Sequence, residues 1–251
     1  GAWHVACSPT GTTVASVGEH EIRLWNARTG ELRTTLNEHP SDANEVAYSH
    51  DGERLATCDG GTSTIIRDGS TGAAIFKIPL ASSSIDFSPV DDSLAAAHNT
   101  DEQHVVTLWN SITGERIREL GQHETNVASV DFAPDGKHVF SIDIGAVVKQ
   151  WDVETAACVH DWSTTGRTSK NQGGSCVATS PDGRLLATGD RRVRIWNLDS
   201  REQIGTITPL SLVRNVEFSN DGQRIVTCTR GDETVRIWDI SRLGESHNAQ
   251  P

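Results

Sequence analysis

Ten histidines and 34 acidic residues invite a search for metal or catalytic chemistry, and the densest cluster is His98-Asn99-Thr100-Asp101-Glu102-Gln103-His104. Two imidazoles with carboxylates between them could hold a divalent ion, yet the spacing matches no recognised ligand pattern, and a polar hairpin turn explains it equally well. Arg191-Arg192, with Arg184 and Arg194, forms a basic cluster in an acidic chain. Alternate strand residues share a face, so Arg192 and Arg194 point together, where a phosphate or acidic peptide could dock. Arg23 and Arg236 hold the same strand place elsewhere, and there the arginine stem simply covers its neighbour. The stretch 163–174 is rich in Gly, Ser and Thr, with Trp162 before it and the cations Arg167 and Lys170 inside. That composition reads as a loop able to form a contact patch. No G-x-S-x-G, phosphate loop, G-x-G-x-x-G or H-E-x-x-H occurs. The sequence therefore assigns no catalytic, cofactor-binding or metal-ligating residue, and the expected class is not an enzyme.

What must position these side chains is a repeat. Thr234-Val235-Arg236-Ile237-Trp238-Asp239 has near copies ending at Trp25, Trp109, Trp151 and Trp196, and Arg67 falls in the same phase in place of tryptophan. Successive anchors lie 42, 42, 42, 45 and 42 residues apart. Each period carries short runs rich in Val, Ile and Thr, divided by turn signals such as Ser180-Pro181-Asp182-Gly183 and Asn110-Ser111-Ile112-Thr113-Gly114. Proline presets φ, aspartate caps its own turn and glycine accepts positive φ, so each period reads as four antiparallel strands. Four strands cannot bury both faces alone and must stack on neighbours. Radial stacking does this while leaving only short edges.

The chain has 251 residues, 22 basic and 34 acidic, with a formal charge of −12. Such a balance works against nucleic-acid binding, which depends on phosphate neutralisation by Lys and Arg. Residues 1–125 hold 8 basic and 18 acidic side chains and 126–251 hold 14 and 16, so a ring of repeats has one more negative side. Five cysteines without a C-x-x-C pair fit buried thiols in a reducing compartment, and hence a cytoplasmic protein. No apolar run approaches the length of a membrane helix. The chain has no methionine, even at residue 1, and the expectation is a natural protein that continues upstream.

The phased turns and Trp-Asp anchors, covering nearly all of residues 2–240, resemble the WD-repeat β-propeller family. The resemblance implies an all-β propeller of four-stranded antiparallel blades. Six are present, at about 1–37, 43–79, 83–121, 126–162, 174–208 and 213–245, followed by a polar tail at 246–251. They are expected to form part of an incomplete seven-bladed ring, with apolar faces exposed on blades one and six. The family pattern also implies structural roles for Trp25, Trp109, Trp151, Trp196 and Trp238, for His39 and His123 before first strands, and for Asp190 and Asp232 six residues before their tryptophans. Ser16, Thr57, Ser141, Thr188 and Thr227 occupy the hydroxyl place, but by this count no blade holds all four members. Blade two, with Arg67, is expected to be the least well packed.

The function implied is a non-catalytic protein-interaction scaffold, a C-terminal docking or regulatory domain of a larger protein with an upstream domain such as a kinase or protease. Its partner would be a protein or peptide, with no nucleic acid, membrane or cofactor. The rim residues expected to meet it are Asp42, Asp59, Asp101, Glu102, Glu124, Trp162, Arg167, Lys170, Arg191 and Arg214. The alternative is a propeller enzyme that holds a metal in its channel and hydrolyses a small molecule. That would need carboxylates and histidines converging from several blades, of which the sequence shows no sign beyond His98 and His104.

Overall fold

A computed structural model describes residues 2–18, 21–164, 176–230 and 234–243. Blade one is β1 (Ala2–Cys7), β2 (Thr13–Gly18), β3 (Glu21–Asn26) and β4 (Leu32–Leu36). Blade two is β5 (Glu45–Tyr48), β6 (Arg54–Cys58), β7 (Thr64–Asp68) and β8 (Ala74–Ile78). Blade three is β9 (Ser82–Phe87), β10 (Ser93–Asn99), β11 (His104–Asn110) and β12 (Arg116–Gln122). Blade four is β13 (Val127–Phe132), β14 (His138–Asp143), β15 (Val147–Asp152) and β16 (Cys158–Ser163). Blade five is β17 (Cys176–Thr179), β18 (Leu185–Gly189), β19 (Val193–Asn197) and β20 (Gln203–Ile207). Blade six is β21 (Leu212–Phe218), β22 (Arg224–Arg230) and β23 (Val235–Asp239), with no fourth strand among the described residues. Strands pair antiparallel in chain order, and the blades form a six-bladed β-propeller without helices among those residues.

The turn chemistry is as the sequence implies. Gly11, Gly52, Gly136, Gly183 and Gly222 close the hairpins between first and second strands at φ of 66°, 74°, 66°, 71° and 67°, a region that only glycine enters without cost. The turn between β19 and β20 lacks a glycine, and Arg201 adopts a φ of 61° in its stead.

Five interfaces repeat one design. One or two apolar residues of a third strand meet the first and second strands of the next blade. Ile22 and Leu24 pack with Val46 and Leu55, and Ile66 packs with Ile85 and Leu94. Val106 and Leu108 pack with Val130 and Val139, Val148 with Val177 and Leu186, and Val193 and Ile195 with Val216 and Ile225. Each fully buried aliphatic side chain contributes about 2 kcal/mol, so these seams hold the ring together.

The sixth interface differs. Blade six reaches blade one where Asn215 Nδ2 lies 3.3 Å from His4 Nε2 and the Arg214 guanidinium sits 5.7 Å from the centre of the Trp3 ring. Away from that contact Val235 and Ile237 are 69% and 68% exposed, and Val5 opposite them 55%. The equivalents Ile22 and Leu24 are each 1% exposed. Among the described residues, apolar side chains are thus exposed on both blades one and six, at a seam whose contacts Asn215–His4 and Arg214–Trp3 lie along its inner edge.

Candidate functional site

The antiparallel order places all turns between second and third strands, and all connections between blades, at one end of the propeller. Most of the expected rim residues stand there. Asp101, Glu102 and Glu124 are exposed on blades three and four, Asp42 is half-buried before blade two, and Arg191 is exposed on blade five. Arg214 is exposed on β21, over Trp3. Among the described residues, the loop end thus carries exposed or half-buried carboxylates on blades two to four and exposed guanidinium groups on blades five and six. Arg167, Lys170, Asp232 and the tail at 246–251 lie outside the described residues.

Two rim expectations need correction. Asp59 is only 4% exposed, because it accepts hydrogen bonds from the backbone N–H of Gly61, Thr62 and Ser63 and from the Thr62 hydroxyl. Burial alone would raise its pKa, but those bonds outweigh it and hold the carboxyl at about 2. Trp162 is half-buried on β16, stacked on His160 at 5.1 Å and edge-on to Trp196 at 6.0 Å. It is part of the packing between blades four and five.

Asp59 belongs instead to a buried polar set. His39 Nε2 lies 2.8 Å from Thr57 Oγ1, and its Nδ1 lies 3.6 Å from Asp59 Oδ2. Blade four repeats the set, with His123 Nε2 2.7 Å from Ser141 Oγ, His123 Nδ1 3.5 Å from Asp143 Oδ2, and Trp151 Nε1 donating to Ser141 at 2.7 Å. Burial lowers the pKa of both histidines, against the opposing pull of Asp59 and Asp143, which favours the neutral ring, with the Nδ1 proton assigned to the side facing aspartate. Blade four therefore holds all four members. The sequence count missed it because the aspartate keeps a fixed distance from the hydroxyl, two residues on in Thr57/Asp59, Ser141/Asp143 and Thr188/Asp190, while the turn before the tryptophan varies in length. Asp190 is buried and bonds Arg194 Nη1 at 3.0 Å, which removes Arg194 from the basic cluster.

Blade two is not loosely packed. Arg67 is fully buried and makes the bond that tryptophan makes elsewhere, its Nε donating to Thr57 Oγ1 at 3.0 Å. Trp25, Trp196 and Trp238 donate to Ser16, Thr188 and Thr227 at 2.9, 3.0 and 2.9 Å. Arg67 Nη1 adds bonds to Glu38 and the Gly72 carbonyl.

The histidine cluster of β10 and β11 does not converge. Asn99 pairs with His104 and His98 with Val105. Directly paired residues share a face and adjacent ones do not, so the two imidazoles project to opposite faces. His98 Nδ1 bonds the Ala81 carbonyl at 2.8 Å.

Sequence reading missed a different convergence. Glu45, Asp86, Asp131 and Glu217 lie on the first strands of blades two, three, four and six, and these strands surround the axis. Glu45, Asp86 and Asp131 are half-buried and Glu217 is exposed at the channel wall. Burial pushes Glu45 up to about 8, with repulsion from Glu217 and Asp131 adding to it. For Glu217 the side chain is reached by solvent yet crowded by the surrounding strands, and that partial desolvation, then the Asp131 charge, raises it as well, to about 8. Asp86 and Asp131 are raised together, by burial and, for Asp86, by its neighbour's charge. Their positions could have been found by counting back two residues from the turn openers Ser88, Ala133 and Ser219, and four from Ser49.

These carboxyls have structural work. Asp86 Oδ2 accepts from Phe132 N at 2.7 Å, and Asp131 Oδ2 from Thr179 N at 2.8 Å and Thr179 Oγ1 at 2.7 Å. Ser84 Oγ donates to Glu45 and accepts from Val130 N at 3.0 Å. The inner strand is an edge whose outward N–H groups have no strand partner, and the previous blade satisfies them. Among the described residues no group of three His, Cys, Asp or Glu side chains is arranged to hold a metal ion.

The repeat family described as "WD domain, G-beta repeat" matches residues 30–67, 114–152, 161–197 and 202–239. The chain is 27% identical over 175 residues to kinesin-like protein KIF21B of Mus musculus, a match that covers 57% of this chain and 10% of the relative. It is 23% identical over 281 residues to nuclear distribution protein PAC1 of Arthroderma benhamiae, covering 96% of this chain and 59% of the relative. Against human apoptotic protease-activating factor 1 it is 28% identical over 152 residues, 56% of this chain and 12% of the relative. The chain thus spans between a tenth and three-fifths of these relatives' lengths.

Proposed function

The chain belongs to the WD-repeat family, and from that membership we propose that it is a non-catalytic scaffold whose loop end docks a protein or peptide partner. The observation that carries this reading is the division of charge at that end, with Asp42, Asp101, Glu102 and Glu124 on one side and Arg191, Arg192 and Arg214 on the other. A rigid ring holds these groups at fixed separations, and complementary fields of this kind steer association and fix register. The partner is expected to present basic residues to blades two to four and acidic ones to blades five and six. Nucleic acid fits the net charge of −12 poorly. The longer relatives support a docking or regulatory role beside another domain in one polypeptide. The cysteines, none of them in a disulfide, support a cytoplasmic setting.

The test is affinity capture on wild-type chain, on a loop-end triple variant (Arg191→Glu, Arg192→Glu, Arg214→Glu), and on Asp135→Lys/Asp182→Lys at the opposite end. A partner retained by the wild type and the opposite-end variant, but lost from the loop-end variant, is the expected result. Equal retention by all three would place docking elsewhere.

A further inference from the structure

The seam between blades four and five departs from the other full interfaces at one cross-strand pair. In blades one, two, three and five the residue before the anchor is Leu24, Ile66, Leu108 or Ile195, each at most 1% exposed, and it pairs with Ala15, Ala56, Ala95 or Ala187 of the second strand. In blade four the sizes are exchanged. Gln150 pairs with Phe140, the ring is buried and the glutamine is half-buried. A polar side chain there does not close the seam as leucine or isoleucine does, and a cleft of about 440 Å³ lies between the two blades, at the end opposite the loops.

Phe140 and Ala133, both buried, and half-buried Leu198 give the cleft its apolar surface. The Gln150 carboxamide also lines it and finds no hydrogen-bond partner among the described residues. Three exposed carboxylates border it, Asp135 and Asp182 from the hairpins before β14 and β18 and Asp199 from the turn between β19 and β20. None of the three is in an ion pair with lysine or arginine among the described residues. Asp135 has only His138, whose Nδ1 lies 3.1 Å from its Oδ2. The Ser180 hydroxyl, 2.6 Å from Asp182 Oδ1, holds that carboxyl below its usual pKa. Arg201 lines a narrower recess beside the cleft, with Trp162 and Trp196, and does not line the cleft itself.

We propose that this cleft is a second docking site, which takes an arginine or lysine side chain and a neighbouring apolar residue from a partner protein. The cation would meet Asp135, Asp182 and Asp199 and donate to the Gln150 carbonyl, while the apolar residue covers Phe140 and Leu198. Charge-assisted hydrogen bonds are about twice as strong as neutral ones, and specific pockets join apolar surface to a few placed polar groups in this way. The chain's own segments next to these blades complement the cleft poorly. Residues 244–251 contain no lysine or arginine. Residues 165–175 contain Arg167 and Lys170, but they join β16 to β17 at the loop end.

The probe is acetyl-leucyl-arginine amide, titrated into the whole isotope-labelled chain and followed by NMR at the backbone amides of residues 135–140, 150, 182–183 and 198–199. The expected result is a saturable shift confined to these amides. The neutral citrulline dipeptide and acetyl-leucyl-glutamate amide should bind about tenfold more weakly or worse, and so should the arginine dipeptide to Asp182→Asn/Asp199→Asn. Both aspartates are exposed, so this variant should fold, and circular dichroism checks it. The loop-end triple variant should bind the dipeptide as the wild type does. Asp135→Lys/Asp182→Lys should lose it while keeping the loop-end partner, so the two sites fail separately. Absent binding, equal binding of the citrulline dipeptide, or shifts centred elsewhere overturn the proposal. Arginine amide alone binding as tightly as the dipeptide also overturns it, since a free cation would then be the ligand. Tighter binding after Arg167→Ala/Lys170→Ala does so too, by showing that the chain's own cations compete for the cleft.

Discussion

At residue 67 a guanidinium stands where the other blades place an indole, and the comparison separates what the position needs from what it tolerates. It needs an N–H donor aimed at the hydroxyl of the second strand, and both Arg67 Nε and Trp151 Nε1 provide one. Arginine brings a charge besides, and the fully buried cation depends on Glu38, which is itself 46% exposed. Breaking a buried pair by removing one partner is far more damaging than replacing both with apolar groups. Glu38→Ala is therefore expected to cost about 3 kcal/mol in urea unfolding. Adding Arg67→Trp in that background should recover most of the loss, because the indole keeps the bond to Thr57 and leaves no charge behind. A double variant as unstable as Glu38→Ala would show that the arginine is held for some other reason.

Blade three solves the same problem by moving the hydroxyl between elements. Its second strand has Ala96 where the other five blades have Ser or Thr, and Trp109 Nε1 donates instead to Thr107, at 2.9 Å. Ala96 and Thr107 are directly paired across β10 and β11, so the acceptor has crossed to the facing strand without leaving its place in space. Thr107→Val is expected to strip the indole of its partner and cost about 1–2 kcal/mol. Ala96→Ser in the same chain should restore much of it, read as the shift in unfolding midpoint of the single and double variants. No recovery would mean that the loss came from packing rather than from the bond.

The exchange also marks where sequence legibility stops. Strands, turns and blade phase were readable because Val, Ile, Gly and Trp repeat at a fixed period. The partnerships were not, because they depend on register across strands. His98 and His104 look adjacent along the chain yet face opposite ways. Asp143 goes uncounted when the distance is taken from Trp151 instead of Ser141. The loop-end charges could be placed from the sequence, whereas the burial of Asp59 could not, since its partners are backbone groups of its own turn.

Over the whole molecule, the first strands bring Glu45, Asp86, Asp131 and Glu217 to one axis, and their protons couple stability to pH. The folded state holds these carboxyls protonated at pH values where the unfolded chain has released them. Their contribution is complete below the ordinary carboxylate range and is lost as pH climbs through the raised values, about 7 for Asp131 and about 8 for Glu45 and Glu217. His4, His39 and His123 act in the opposite sense, since burial lowers each of them from 6.5. Their contribution is complete above that value and is lost in acid. From pH 6.5 to about 8 the histidines are largely neutral in both states and the carboxyls decide. The urea midpoint is expected to fall across that window, and Glu45→Gln, at the half-buried member of the set, should flatten the fall and raise the midpoint at its upper end. A wild-type midpoint that rises there would refute the assignment.

The seam between blades six and one bears on how the molecule comes apart. Among the described residues, five full interfaces join sequence neighbours and a narrow contact joins the terminal blades, so these residues are linked much as in a chain of repeats bent into a circle. Stability in such an array is close to a sum over adjacent pairs, and disorder should enter from the two terminal blades and travel inward. Folding likewise need not wait for a distant closure, because nearly every contact joins a blade to itself or to the next one along the chain. In topology the ring behaves as a line.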